Sequence, residues 1–255
     1  MSTFTKVNHT RFSDALLREA AGLSALRSGL QKAGVTAIRV PEILEVDSEQ
    51  LTMSRIEAGP ASEAVLLMLG EGLARLHAVR QDDYGWPDDN YIGLSPQPNG
   101  ISPSWGEFFV QQRLGFQVGR ITDGAVRVAF QRTLASCGER LARWLDQHCD
   151  HPSLLHGDLW GGNVLFDQHN PWLIDPAVYY GDREADLAMT EMFGGFGQAF
   201  YQAYDRIYAR TAAYPVKRSV YNLYHYLNHY NLFGTGYLGG CRQGMSVIEE
   251  VAVRS

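Results

Sequence analysis

Disulfides, membrane spans and charge runs are all missing from this sequence, and each absence removes a class of protein. Its three cysteines, Cys137, Cys149 and Cys241, are few, odd in number and far apart. They make no disulfide framework and suit a reducing compartment. No stretch approaches the ~20 apolar residues that a membrane span needs, and the opening MSTFTKVNHTRF lacks the apolar centre of a secretory leader. Long runs of like charge are absent too: 22 Lys and Arg stand against 28 Asp and Glu, a net charge of -6. Nucleic acid and anionic membranes are therefore poor expectations as partners. No internal repeat or low-complexity tract interrupts the chain. What is left is an ordinary globular composition, 45% apolar over 255 residues, enough for one large domain or two modest lobes. The expectation is a cytoplasmic protein.

The pattern along the chain is asymmetric. Short strand-like and helical signals alternate at first, and helical periodicity dominates from residue 62 onward. STFTKV reads as a strand. SDALLREAAGLSALRSGL then puts Leu16, Ala20, Leu23 and Leu30 on one helical stripe, with Ser13 available as N-cap. AIRVPEILEV and QLTMSRI read as two more strands, the first interrupted by Pro41 and so expected at an edge. EAGPAS is a Gly-Pro turn fit to link two lobes, 1–57 and 58–255. Beyond it, Ser62 caps a helix with Leu66, Leu69, Leu73 and Leu76 spaced for burial. SWGE, Ser104 to Glu107, has capping-box spacing, a long helix is expected from about Val126 to His148, and two or three more fill the last sixty residues.

The densest chemistry lies in LLHGDLWGGNVLFD, residues 154–167. A surface turn accounts for its glycines but not for Asp158 and Asn163 five residues apart. VLFDQHNPWLID follows, two apolar runs around the turn-rich Asn170-Pro171, and reads as a hairpin. Antiparallel strands bring their outer ends together, so Asn163 at the entry and Asp175 at the exit are expected side by side, with Asp158 near them. Two carboxylates and an amide suit a hard cation such as Mg²⁺, which keeps few protein ligands and shares the rest with water and phosphates. Asp182 and Asp186 extend the series in IDPAVYYGDREADLAM. A zinc site from Cys149, His151 and His156 is conceivable by residue type, but the spacing matches no common one.

LLHGDLWGGN together with DPAVYYGDREADLAM resembles the fructosamine kinase (ketosamine 3-kinase) family, a branch of the protein-kinase-like fold near the aminoglycoside phosphotransferases. The wider clan shows HGD, an Asn five residues after the Asp, and a later ID, GD and DLA. The Trp of HGDLW, the Asp-Pro-Ala and the GDRE string narrow it. LARLH, NYIGLSPQPNG, WGEFFVQQRL and LYHYLNHYNLFG continue the similarity, which spans nearly the whole chain from about Lys6.

The resemblance implies an α+β, two-lobed kinase-like fold and an ATP- and Mg²⁺-dependent enzyme that phosphorylates the 3-hydroxyl of a ketosamine, small or protein-bound, and so begins deglycation. Asp158 is implied as catalytic base, Asn163 and Asp175 as Mg²⁺ ligands. Lys6 is implied to reach the nucleotide phosphates and to pair with Glu19. Met53 is implied to lie behind the adenine, with the backbone of Ser54, Arg55 and Ile56 bonding it. Asp186 is implied to hold the catalytic loop, and His156 is given a packing or loop-ordering role. Trp160 is implied as a wall of the acceptor pocket, with a core anchor as the competing role.

One feature departs from the family pattern. Members carry two strands and a glycine-rich loop ahead of the lysine strand, whereas five residues precede Lys6 here, with no G-x-G-x-x-G to cover the phosphates. The expectation is a truncated first lobe of three strands with an open phosphate site. Two alternatives stay beside the ketosamine kinase: a phosphotransferase for another hydroxylated small molecule, such as an aminoglycoside, and a pseudokinase-type binding module.

Overall fold

The computed structural model describes residues 2–254. It opens with strand β1 (Thr3–Val7) and helix α1 (Ala15–Lys32), followed by β2 (Ile43–Val46) and β3 (Gln50–Ser54). These strands form a three-stranded antiparallel sheet of order β1-β3-β2, with Lys6 opposite Leu51. The segment before Pro41 does not join the sheet, since proline removes a ladder donor; only Arg39 touches a strand position, bridging to Trp172. Leu16, Ala20, Leu23 and Leu30 are buried along α1 as the spacing predicts. Ser13 is not the cap. Asp14 holds that position, and its carboxylate is drawn away by the Tyr91 hydroxyl at 2.5 Å and by Arg18 at 3.0 Å.

Helix α2 (Glu63–His77) follows the exposed Gly-Pro stretch, and Ser62 Oγ accepts from Val65 N. Leu69, Leu73 and Leu76 are buried, whereas Leu66 is only half-buried at the stripe's margin. Four strands of three residues come next: β4 (Tyr84–Trp86), β5 (Asn90–Ile92), β6 (Ser95–Gln97) and β7 (Gly100–Ser102). Ser104 caps α3 (Trp105–Phe108), accepting from Glu107 N at 3.0 Å, which is one half of a capping box. The Ser104 hydroxyl itself donates to Asp146. The coil then widens into a π-helical stretch, Phe109–Gly115, before α4 (Phe116–Gly119) and the long α5 (Gly124–Gln147), which Asp123 caps.

Strand β8 (Ser153–Leu155) leads into the HGD loop. The expected hairpin is β9 (Val164–Phe166) paired with β10 (Pro171–Leu173). Strand β11 (Tyr179–Gly181) completes a four-stranded sheet of order β7-β4-β11-β8, and α6 (Glu184–Met192), α7 (Gln198–Ile207), α8 (Tyr214–Phe233) and α9 (Leu238–Arg254) follow. One string, Gly234 to Gly239, does have G-x-G-x-x-G spacing. It stands in a 3-10 turn between α8 and α9, not between strands, so it forms no phosphate loop.

The apolar core runs from the first sheet into the helices. Leu23, Leu51 and Met53 share one cluster with Leu69 and Leu73 of α2 and with Leu154 and Leu173 from either side of the HGD loop and hairpin. A second cluster gathers Trp105, Phe109, Tyr221, Leu227 and Ile248 between α3, α8 and α9. The HGD loop and the hairpin are thus mounted on packed elements, the arrangement that holds reacting groups most tightly. No helix among the described residues is long and apolar enough to cross a membrane, and all three cysteines are free thiols.

Candidate active site

The HGD loop is held from below by a buried carboxylate. Asp186, on the first turns of α6, accepts from His156 N at 2.7 Å and from Gly157 N at 2.9 Å, one amide to each oxygen. Burial alone pushes the Asp186 carboxyl up, but His77 and these amides outweigh it and hold it below the usual carboxylate range. His156 ties the loop to the hairpin. Its Nε2 donates to Ile174 O at 2.9 Å and its Nδ1 accepts from Asp158 N at 3.3 Å, so the ring is neutral, as its burial favours. Gly157 has φ +82°, and a Cβ there would lie 2.0 Å from Ala177 O. Only glycine fits that turn.

Asp158 is therefore aimed by its neighbours rather than by its own rotamer alone. Asn163 Nδ2 donates to its carbonyl oxygen at 2.8 Å and to its Oδ2 at 3.0 Å. Burial pushes the Asp158 carboxyl up to about 7; the Asn163 bond opposes this, and the charges of Asp175 and Asp186 add to it. A carboxyl titrating near neutral pH is suited to taking a proton from a hydroxyl.

The hairpin brings the other oxygens in. Ile174 N donates to Asn163 O at 3.1 Å, so Asn163 and Asp175 do meet at the open end of β9 and β10. Asp175 has φ +52° and is the one non-glycine residue with positive φ among those described; such strain is retained at functional sites. Lys6 Nζ donates to Glu19 Oε2 at 2.8 Å and to Asp175 Oδ1 at 2.9 Å. Burial works against the ammonium, but the two carboxylates outweigh it and raise its pKa. Burial raises the Glu19 carboxyl too, although Lys6 pulls it back. Facing two acids, Lys6 is held in its charged form.

Three neighbouring cavities meet at these residues. One of 590 Å³ is lined by Phe4, Met53, Ile56, Leu165 and Ile174, and it shares Lys6 and Asp175 with a second of 310 Å³. The second also touches Glu19, Asp158, Trp160 and Asn163. It shares Asp158, Trp160, Gly93 and Leu94 with a third, of 390 Å³, walled by Phe193, His229, Phe233 and Tyr237. Trp160 is 36% exposed, edge-on to Phe193 at 5.6 Å, with its ring over Gly162. It is a cavity wall, not a core anchor. Ser54 and Arg55 also line the first cavity, but their amides are already spent on Glu42 O and Ser2 O. The sheet ladder runs on through them, so the Ile56 amide is the donor this stretch has left for a ligand.

Among the described residues no group of three or more His, Cys, Asp or Glu side chains is placed to hold a metal ion. The donors that converge are the side-chain oxygen Oδ1 of Asn163, whose Nδ2 is committed to Asp158, and the Asp175 carboxylate. Two hard oxygens fit a cation that takes its remaining ligands from water and phosphate.

The family model for fructosamine kinases matches residues 1–251. The chain belongs to that family. It is 38% identical over 247 residues to a probable ketoamine kinase of Synechocystis sp., covering 92% of this chain and 78% of that one. It is 36% identical over 257 residues to the chloroplastic protein-ribulosamine 3-kinase of Arabidopsis thaliana, covering 98% and 76%. A crystal structure of a candidate fructosamine-3-kinase from Haemophilus somnus superposes with a TM-score of 0.80 at 26% identity, over 98% of this chain and 83% of that one. The gentamicin complex of the aminoglycoside phosphotransferase APH(2")-IIa shares the kinase-like fold, with a TM-score of 0.60 at 14% identity, over 97% and 85%.

Within this fructosamine kinase fold, sequence reasoning missed several cavity residues. His9, Thr10 and Arg18 reach the middle cavity from the β1–α1 turn and α1. Phe193, His229, Phe233 and Tyr237 form the third cavity's aromatic arc. The string NHYNLFG held that signal, but aromatics at helical spacing read as core until a cavity is seen beside them.

Proposed function

We propose that the chain is an ATP-dependent ketosamine 3-kinase. The observation that carries this reading is the position of Asp158. It stands at the junction of the middle and third cavities, and the middle cavity is joined to the first through Lys6 and Asp175. A nucleotide laid along this series has its adenine against Met53 and Ile56, its phosphates beside Lys6, and its γ-phosphorus facing an acceptor held against Trp160.

In this reading Asp158 accepts the proton of the sugar 3-hydroxyl as that oxygen attacks the γ-phosphorus. The bond to the bridging oxygen breaks, and ADP leaves with the electron pair. Lys6, drawn into place by Glu19, offsets phosphate charge. Asn163 and Asp175 would hold Mg²⁺, which would supply positive charge against the developing negative charge of the transfer. Asp186 and His156 keep the loop from shifting. The 1–57 segment supplies the nucleotide side and 58–255 the catalytic side. The free thiols suit a reducing, cytoplasmic setting.

The test is ketosamine-dependent ATP turnover, with an aminoglycoside as competing acceptor. Asp158→Asn is expected to abolish transfer while nucleotide affinity stays nearly unchanged, and Asp175→Ala to weaken Mg·ATP binding. If both variants keep activity within about threefold, under ~1 kcal/mol of transition-state energy, the site is misassigned. Preference for the aminoglycoside would move the reading to the neighbouring phosphotransferases, and nucleotide binding with no turnover of any acceptor would move it to a pseudokinase.

A further inference from the structure

The string NYIGLSPQPNG, residues 90–100, carries none of the reacting groups, yet it reaches the acceptor side of the site. It contains the hairpin of β5 and β6, in which Ile92 pairs with Ser95 across Gly93 and Leu94. Gly93 has φ +55°, whereas Leu94 is not among the residues with positive φ. That combination fits a type II′ turn, which takes glycine first and an ordinary side chain second. Leu94 is therefore presented at the tip. It stays 57% exposed, although Asn90, Ile92, Ser95 and Gln97 of the same hairpin are all buried.

The tip is exposed but its base is stiff. Asn90 Nδ2 donates to Val178 O at 2.8 Å and Gln97 Nε2 to Ala177 O at 3.0 Å, and Asn90 Oδ1 accepts from both Gln97 Nε2 and Asn99 Nδ2. Arg113, fully buried with its guanidinium 4.1 Å from the centre of the Tyr179 ring, donates to Asn99 Oδ1 at 2.7 Å. A buried network bonded in this way rigidifies what it holds. Ala177 is the common point: its N donates to His156 O at 2.8 Å and its O lies against Gly157, so the hairpin and the HGD loop hang from one residue. Leu94 is thereby fixed relative to Asp158.

The residues common to the middle and third cavities are Gly93, Leu94, Asp158 and Trp160, which makes them the neck between the two. Glycine adds no side chain, so Leu94 and Trp160 are the apolar walls of that neck. Leu94 has no part in the first cavity, where Met53 and Ile56 lie. A ketosamine that brings its 3-hydroxyl to Asp158 carries C1 and the amine into the same neck, since only C2 separates C1 from the reacting carbon. We propose that Leu94 is a specificity-determining residue of the acceptor site: it contacts C1 and the first carbon on the amine, and it sets how broad a group may follow them. An isobutyl wall beside an indole favours an unbranched alkyl chain on the amine over a branched one. The inference rests on the ketosamine reading and adds the amine side to it.

The experiment uses the full chain with Leu94→Ala and Leu94→Phe, and as acceptors the fructose adducts of n-butylamine and tert-butylamine, isomers that differ only in shape. It measures kcat, both KM values and Tm. Leu94→Ala is expected to raise the KM for the straight-chain adduct about fivefold, because one methylene in an apolar pocket is worth about tenfold or more and this side chain is only partly enclosed. The same variant should narrow the kcat/KM preference for the straight over the branched isomer by at least about threefold, and Leu94→Phe should widen it. The KM for ATP and the Tm should not move, since the side chain borders neither the first cavity nor the core.

An isomer preference that stays within about twofold of the parent's in both variants overturns the inference. So does a KM for ATP that rises in step with that for the ketosamine, or a fall in Tm with unchanged kinetics, since either makes Leu94 a support for the turn alone. Each variant carries the test by itself if the other does not fold. Asp158→Asn is the reference. A parent that turns over neither adduct, or activity that survives in Asp158→Asn, removes the ketosamine reading and this inference with it. Turnover in the parent, its loss in Asp158→Asn and unchanged Leu94 variants remove this inference alone.

Discussion

The amide nitrogen of Asn163 donates to both the carbonyl oxygen and Oδ2 of Asp158, at 2.8 and 3.0 Å. The residue proposed to hold the cation through its side-chain oxygen therefore also steadies the candidate base. Truncating it removes two functions at once. Asn163→Ala is expected to raise the Mg²⁺ concentration needed for half-maximal activity and also to lower kcat at saturating Mg²⁺. A magnesium titration separates the effects, and full recovery of kcat at high Mg²⁺ would show that Asn163 serves the cation alone.

Trp160 is a test of the acceptor side. It is only partly covered and touches Phe193 and the Gly162 backbone rather than the deep core. Trp160→Leu should raise the KM for a ketosamine by at least about fivefold, on the scale of one lost aromatic contact, and leave the KM for ATP and the Tm nearly unchanged. A broad loss of helical signal on mild heating would return Trp160 to the role of anchor.

Gly157 is a test of the loop's geometry. Its φ of +82° and the 2.0 Å approach of Ala177 O to an added Cβ leave no room for a methyl group. Gly157→Ala should cost at least ~1–2 kcal/mol from the left-handed backbone alone and should displace Asp158 as well. Thermal unfolding and kcat should fall together. A variant with normal Tm and normal kcat would mean that the loop relaxes without consequence.

The sequence makes the site more legible than the scaffold around it. Asn170-Pro171 marks a turn on local chemistry, and that turn brings Asn163 to Asp175 by strand geometry, so the convergence follows from neighbours in the chain. The strands β4 to β7 carry no such mark. Each has three residues, too few for a period of two to show, and β4 takes its partners from β7 and β11. Ser13 looks like a cap by type, yet Asp14 ends up there with its carboxylate drawn to Tyr91, a partner 77 residues away. Nothing in the string LARLH marks His77 as buried, and only the packing of α7, with Tyr204 against the imidazole, shows that it is. Polar residues whose partners are distant in sequence are the ones that spacing cannot find.

His225 gives the pH prediction. Burial, with the charge of His229 adding to it, lowers its pKa to about 3. The unfolded chain takes up this proton below about 6.5, whereas the folded chain does not until about 3. Stability from this group is therefore complete above 6.5 and declines as pH falls, by about 1.4 kcal/mol per pH unit at most. Glu19 and Asp158 work the other way. Their raised carboxyls bind protons in the folded state first, adding stability on the way down through about 7. A profile of the parent alone mixes the two signs, so the informative quantity is the difference from His225→Gln, which keeps the carboxyls and removes the imidazole. Between pH 6.5 and 4.5 the parent's Tm should fall more steeply than the variant's, and above pH 7 the two curves should run parallel. Parallel curves down to pH 4.5 would mean that His225 is protonated in the folded protein, with a partner other than the groups packed around it.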